Sequence, residues 1–476
     1  MSESTGAEEK RQLGKSSIEP HSNASSTGWH DEEKAQDDTR QNSIAQDSNN
    51  TNDLQHIESQ SLAGSQLPPP PDGGLHAWLK VFGGFLVYIN IWGFTLAYGT
   101  FQSYYTFTLL PDQSPSSISW IGTVQGWLLI VVGVLSGPLF DLGYFRSMLY
   151  IGNFLIVFGI MMLSLCRTYW QVFLAQGICM GLGAGLLYIP SLALVGIWFE
   201  RRRAMALGIV MSGIAVGGVI YIIMFDQLIH KAGFPWTIRA IGFVSLGCAL
   251  LSFPALLSGS GMLARPRKRR ALFDNSAVKD KLFLLFTLCT FCNFLGYIVP
   301  YFYIPTFAQQ KLGSSQSVSL YMLIGALAGS FFGRIGSGLL AHYLGSIVTW
   351  ALCSFTSGIL ALCWISIDTQ ASFIAFSVFW GFLSAALVTL PSAAFANICP
   401  DMSRLGTRLG MSWSVSSIAT LIGSPIAGAL LRTKPNGETD FLGPQLWSGI
   451  CLLVASGCLC VLWVVTKKKL NKGWLI

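Results

Sequence analysis

Ionisable side chains within long apolar runs are the residues of this chain best placed to do chemistry, and there are few of them. Arg334 stands in the run 318–341, and Asp226 follows the run 204–225. Runs of this length can span a bilayer, and ionisable groups at membrane depth mark ion paths and substrate contacts. A guanidinium pairs bidentately with a carboxylate or phosphate. Arg334 is therefore the first candidate to hold an anionic solute; snorkelling to the headgroups is the alternative. Asn90, Tyr98, Gln125, Asn293 and Tyr297 are the polar or amphipathic side chains expected to face a cavity. The same groups serve equally as interhelical hydrogen-bond partners. Trp380 and Trp413 are candidates to stack on a planar ring. No Asp, Glu, Lys or His lies near the centre of an apolar run. A central proton relay is hard to build from this set. Facilitated diffusion, or weak proton coupling through groups near a cavity mouth, is the expectation.

Enzyme chemistry finds little support. The sequence has no HExxH, no GxxxxGK[ST] and no convincing Ser/His/Asp set. Its 11 cysteines sit mostly in apolar segments without metal-ligand spacing, so neither a metal nor another cofactor is expected. Basic residues are scattered between apolar runs rather than gathered on one soluble face, which argues against nucleic-acid binding.

The elements that must position these side chains are membrane helices. Of 476 residues, 52% are hydrophobic and 11% charged, against about 25% charged in soluble domains. A 20-residue window finds twelve candidate spans. Six lie between 78 and 258, the last two being 204–225 and 236–258. Six more lie between 282 and 466, including 318–341 and 408–431. Residues 1–71, with 12 of the 23 acidic residues before position 68, read as a disordered cytoplasmic tail. Residues 72–262 read as an N-terminal six-helix bundle. Residues 263–281 read as a basic cytoplasmic linker, and residues 282–476 as a second bundle ending in a short basic tail. With both termini inside, cytoplasmic loops and the C-terminus hold 17 Lys and Arg and external loops 6, leaving aside Arg334 and the N-terminal region, as the positive-inside rule requires. Anionic lipid at the cytoplasmic face is an expected partner.

The two halves share an offset of 201 residues. Gly137 and Leu139 align with Gly338 and Leu340, and Pro190-Ser191 with Pro391-Ser392. Parallel repeats around a central cavity are a transporter architecture. Arg201, Arg202 and Arg203 precede a helix carrying Ala206, Gly208, Ser212, Gly213 and Gly217. The cations belong at the cytoplasmic surface, and the small residues let a second helix approach. Asp72 reads as a helix N-cap before Gly73-Gly74.

These motifs carry a resemblance. Gly137, Leu139, Asp141 and Arg146 match the loop G-x-L-x-D-x-x-G-x-[KR] of the major facilitator superfamily, with Gly143 one residue early. The resemblance implies that Asp141 and Arg146 act in a cytoplasmic latch between the halves, and Arg201, Arg202 and Asp72 are the further candidates for that gating role. Asp72-Gly73-Gly74 with Trp78 resembles the opening signature of the monocarboxylate-porter branch, especially its fungal members. So does Phe199, Arg201 and Arg202 followed by Ala206, Gly208, Ser212, Gly213 and Gly217. Animal members carry a lysine where Gln102 stands here, and an aspartate where Ser330 stands, four residues before Arg334. Lactate–proton coupling of the animal kind is therefore not implied. The fold expected is an all-α membrane protein of twelve transmembrane helices in two pseudo-symmetric six-helix bundles. The function expected is secondary transport of a small organic solute, an organic acid or a flavin-like or secondary metabolite. A sensor of the same fold without net transport is the alternative. The plasma membrane is the expected location, with the vacuolar membrane second.

Overall fold

The computed structural model describes residues 73–199, 202–259, 272–399, 404–433 and 439–470. The tail 1–71, Asp72, Arg201 and most of the basic linker lie outside the described residues. Ten stretches are long and apolar enough to cross a membrane. One of them, Met205–Leu257, contains a break at Gly233, whose φ of 72° leaves the helical region. It is two helices, where the sequence suggested two spans separated by a loop. A further 25-residue helix, Leu405–Ala429, is less apolar because it carries Ser412, Ser414, Ser416, Ser417 and Thr420. Together these make twelve membrane-length helices among the described residues.

In chain order they are α1 (Leu75–Leu109), α2 (Pro115–Asp141), α3 (Phe145–Leu163), α4 (Tyr169–Trp198), α5 (residues 203–232) and α6 (residues 234–257). They continue with α7 (Lys281–Gln310), α8 (Gln316–Leu344), α9 (Ser346–Ser366), α10 (Gln370–Ile398), α11 (Leu405–Ala429) and α12 (Leu442–Lys468). The stretch read as a basic linker, residues 263–281, holds the short helix Asn275–Lys279, and α7 begins at Lys281. A two-residue antiparallel bridge pairs Arg432–Thr433 with Thr439–Asp440.

The 201-residue spacing reappears in the helix starts. The Ser114 hydroxyl accepts from the Ser117 N–H at α2, and the Ser315 hydroxyl accepts from the Val318 N–H at α8. Thr168 caps α4 in a reciprocal box with Gln171, and Thr369 caps α10 by accepting from the Ser372 N–H. Each cap satisfies a backbone donor that a helix start leaves without a partner.

The small residues of α5 act as their spacing suggests, with one exception. A Cβ on Gly213 would lie 2.5 Å from the Phe85 carbonyl oxygen, and one on Gly217 2.6 Å from that of Ile89. The backbones of α1 and α5 thus touch, which a larger side chain would prevent. Gly208 has open space around it. Elsewhere α2 packs on α4 and α11, α5 on α8, α7 on α1, α11 and α12, and α8 on α10.

Candidate functional site

One cavity of about 150 Å³ lies where α1, α2, α4, α5, α7, α8, α10 and α11 converge. Its wall is mostly apolar and includes seven aromatic residues, Tyr88, Trp92, Tyr188, Phe294, Tyr297, Phe302 and Trp413. Two groups of these rings pack against one another. Trp92 meets Tyr188 edge-on with centroids 5.5 Å apart, and Phe294 lies 5.3 Å from Trp413 and 6.0 Å from Tyr297. Hydroxyls of Thr95, Thr123, Thr389, Ser392 and Thr420 interrupt this surface.

Local helix irregularity helps to aim the rings. Trp92 sits in a π-helical turn, Ile89–Gly93, inside α1. A second such turn, Phe173–Met180, lies in α4 before Tyr188. The extra residue in a π turn rotates the side chains that follow it, and such turns cluster at functional sites. Pro391 lies within α10 beside Ser392.

Arg334, from α8, is the one charged side chain on the wall. It is half-buried, and its guanidinium pairs with no carboxylate among the described residues. Its surroundings are the Tyr88, Tyr188 and Tyr297 rings. A cation in such a setting can hold an anion and lie against the face of a planar ring.

The other candidates fall into distinct places. Tyr297 lines the cavity with Arg334. Gln125 lies behind the wall, its Nε2 3.5 Å from Thr95 Oγ1. Asn90 does not reach the cavity. Its Nδ2 donates to the Ser245 carbonyl at 3.1 Å, and its Oδ1 accepts from the Tyr221 hydroxyl at 2.7 Å, joining α1, α5 and α6. Asn293 donates to the Leu387 carbonyl at 3.0 Å and ties α7 to α10. Tyr98 donates to the Ile118 carbonyl at 2.5 Å and leans on Phe302, 4.6 Å away. Gln102 is buried away from the wall. A polar side chain in an apolar helix signals only that some partner exists; for Asn90, Asn293 and Tyr98 that partner is a neighbouring helix. Trp380 is fully buried against Phe376 and Tyr301, whereas Trp413 lines the cavity.

Of the expected latch residues, Asp141 is buried at the end of α2 while Arg146 and Arg202 are exposed. Gly143, with φ 91°, makes the turn into α3. Asp72 and Arg201 lie outside the described residues. The sequence reading passed over Lys80 and Trp92. Lys80 is a fully buried cation in the first turns of α1, and its signal was a lysine inside an otherwise apolar run.

Residues 81–373 match the Major Facilitator Superfamily. The chain belongs to this superfamily. Curated members similar to it include the MFS-type transporter dbaD of Emericella nidulans, 38% identical over 82% of this chain and 86% of the relative. The aspyridones efflux protein apdF of the same organism is 37% identical over 81% of this chain and 77% of its own length. The agnestins efflux protein AgnL12 of Paecilomyces divaricatus is 32% identical over 88% of this chain and 94% of its own. This superfamily member is thus a multi-pass secondary transporter of a small molecule and not an enzyme.

Proposed function

We propose that this transporter exports an organic anion built on a planar aromatic ring system, of the secondary-metabolite class. The observation that carries the reading is a guanidinium, Arg334, without a carboxylate partner among the described residues, on a wall that includes seven aromatic residues. Rings stack on a planar solute, hydroxyls accept or donate at its edge, and the cation fixes its acidic group. The names of the relatives from Emericella nidulans and Paecilomyces divaricatus support the outward direction. In this reading the chain sits in the monocarboxylate-porter branch, in the plasma membrane, with both termini in the cytoplasm. The bundles 72–262 and 282–476 rock about the cavity, a division supported by the helix caps repeated at 201 residues. Asp141, Arg146, Arg201 and Arg202 form the cytoplasmic latch, and the basic linker meets anionic headgroups.

The test is transport by the purified full chain in liposomes, using a panel of planar aromatic carboxylic acids and their methyl esters. The acids should move and the esters should not, and Arg334→Gln should erase the difference. Equal movement of acid and ester through the unaltered protein would overturn the reading.

A further inference from the structure

Among the described residues, side-chain hydrogen bonds that join α1, α2 and α5 to α7, α8 and α11 include six at the end of the molecule where α1, α5 and α7 finish and α2 and α8 begin. Ser116 donates to the Pro425 carbonyl at 2.9 Å, and the Ser119 and Tyr303 hydroxyls meet at 2.8 Å. Gln309 Nε2 lies 2.9 Å from Ser103 Oγ, and Gln227 Nε2 3.5 Å from the Tyr321 hydroxyl. The remaining two both end on Asp226. Its Oδ1 accepts from Ser317 Oγ at 2.6 Å and its Oδ2 from the Tyr321 hydroxyl at 3.1 Å; Gln227 of α5 itself adds a third bond at 3.2 Å.

Asp226 differs from every other member of this set because it alone is a carboxylate. It is 4% exposed. Its three donors are neutral. On α8 the titratable group facing it is Tyr321; the charged and basic groups of that helix, Arg334 and His342, lie roughly 20 Å or more along the axis. On α1 the neighbouring titratable group is Tyr104, separated from it by Phe225, and the charged residue Lys80 is at the opposite end. His230 and Lys231, one turn further along α5, are exposed, as is Lys311 beyond α7.

We propose that Asp226 is a proton-binding site whose occupancy opens this end of the transporter. The ionised carboxylate accepts from both α8 hydroxyls, and hydrogen bonds to an ionised acceptor are roughly twice as strong as neutral ones. A proton arriving from water at this end bonds to one carboxyl oxygen. That oxygen becomes a donor, and the two bonds holding α8 to α5 fall to neutral strength. The other bonds of the cluster join neutral partners and have no such dependence, so the pH response concentrates on one residue. The inference concerns the seal alone and does not rest on what the cavity carries.

The experiment needs no solute. Nitroxide labels are placed at Gln113→Cys and Gln310→Cys, both exposed at this end, with the exposed Cys363 and Cys460 changed to serine. The full chain sits in phosphatidylcholine nanodiscs. Distances are measured by double electron–electron resonance from pH 8 to pH 4, with circular dichroism confirming that helix content holds. The label pair should show a short distance at pH 8 and a growing longer-distance population as pH falls. In Asp226→Asn the longer population should be present at every pH, without a pH trend, and Asp226→Glu should restore the trend. If Asp226→Asn does not fold, the double variant Ser317→Ala, Tyr321→Phe should show the longer population at pH 8. A distribution that stays constant with pH in the unaltered seal overturns the proposal. So does an undiminished pH trend in Asp226→Asn, or a short distance at pH 8 in the double variant.

Discussion

Lys80 and Arg334 are both cations within helices of this transporter, and their surroundings are opposite. Lys80 of α1 is fully buried. Its ammonium donates to the carbonyls of Ala255 at 3.3 Å, Leu256 at 2.7 Å and Ser258, all at the end of α6. Those carbonyls belong to a helix C-terminus, where the last turn has no intrahelical donors and the dipole favours a cation. The Trp198 ring lies 5.3 Å from the same ammonium. Every donor of Lys80 is thus consumed by the fold. Arg334 has five N–H donors, none of them committed to a carboxylate among the described residues, and it faces a cavity. Burial and charge alone do not separate a structural cation from a ligand-binding one. What separates them is whether the fold already uses the donors.

The comparison is broken most directly at Arg334. Arg334→Ala should lower the affinity for an aromatic carboxylate by roughly tenfold to a hundredfold, the worth of hydrogen bonds to a charged group at about 1.5–3 kcal/mol. Arg334→Lys should recover part of this, because it keeps the charge and loses the planar fork. Titration of the purified variants by calorimetry reads both effects. Thermal unfolding of Arg334→Ala should match that of the parent protein, since no donor of the guanidinium is bonded to the fold among the described residues. A large fall in melting temperature with unchanged affinity would place Arg334 in the class of Lys80.

Lys80→Met reverses the expectation. It leaves the carbonyls of Ala255, Leu256 and Ser258 without the ammonium that meets them. Orphaned buried acceptors cost about 1–3 kcal/mol each, and relaxation of the helix end offsets part of that. Stability should fall by on the order of 3 kcal/mol, read as a lower melting temperature by tryptophan fluorescence in detergent. The affinity of the folded fraction for the same carboxylate should not change. An affinity loss comparable to that of Arg334→Ala would make the contrast between the two cations false.

Much of the fold was legible because hydrocarbon imposes a simple rule: long apolar runs must be helices. The run 318–341 is α8 almost residue for residue, and the repeat seen in Pro190 and Pro391 is echoed in the caps Ser114 and Ser315. The break between α5 and α6 was legible in position, between residues 225 and 236, but not in form: a single Gly233 at φ 72° makes it where the sequence suggested a loop. The site was legible only in part. Arg334 and Tyr297 stand on the wall, but Asn90 and Asn293 are spent on carbonyls of neighbouring helices. Polar type announces that a side chain needs a partner; it does not say whether the partner is a helix or a solute. Aromatic side chains were illegible for the opposite reason. Trp413 and Trp380 look alike in sequence, and only packing puts one on the wall and the other in the core.

A third cation sharpens the contrast with a smaller effect. Arg408 of α11 is 6% exposed and is paired, unlike Arg334. Its Nε lies 2.9 Å from Asp274 and its Nη1 3.3 Å from Asp280, carboxylates flanking the short helix Asn275–Lys279. The Ser276 hydroxyl, first, and the Arg408 guanidinium, second, hold the Asp274 carboxyl well below the usual carboxylate range. The sign follows from linkage. A depressed folded-state value adds stability at any pH above the unfolded value, near 3.9, and that contribution fades as pH falls through the folded value. Asp274→Asn should therefore lower the melting temperature equally at pH 6 and pH 8, and the gap to the parent protein should narrow only under acid conditions below the ordinary carboxylate range. Binding at the cavity should stay the same throughout, because these donors, like those of Lys80, are already taken. A gap that widens between pH 8 and pH 6 would mean that Asp274 gains a proton in that interval, and Arg408 would then be a weaker partner than its geometry requires.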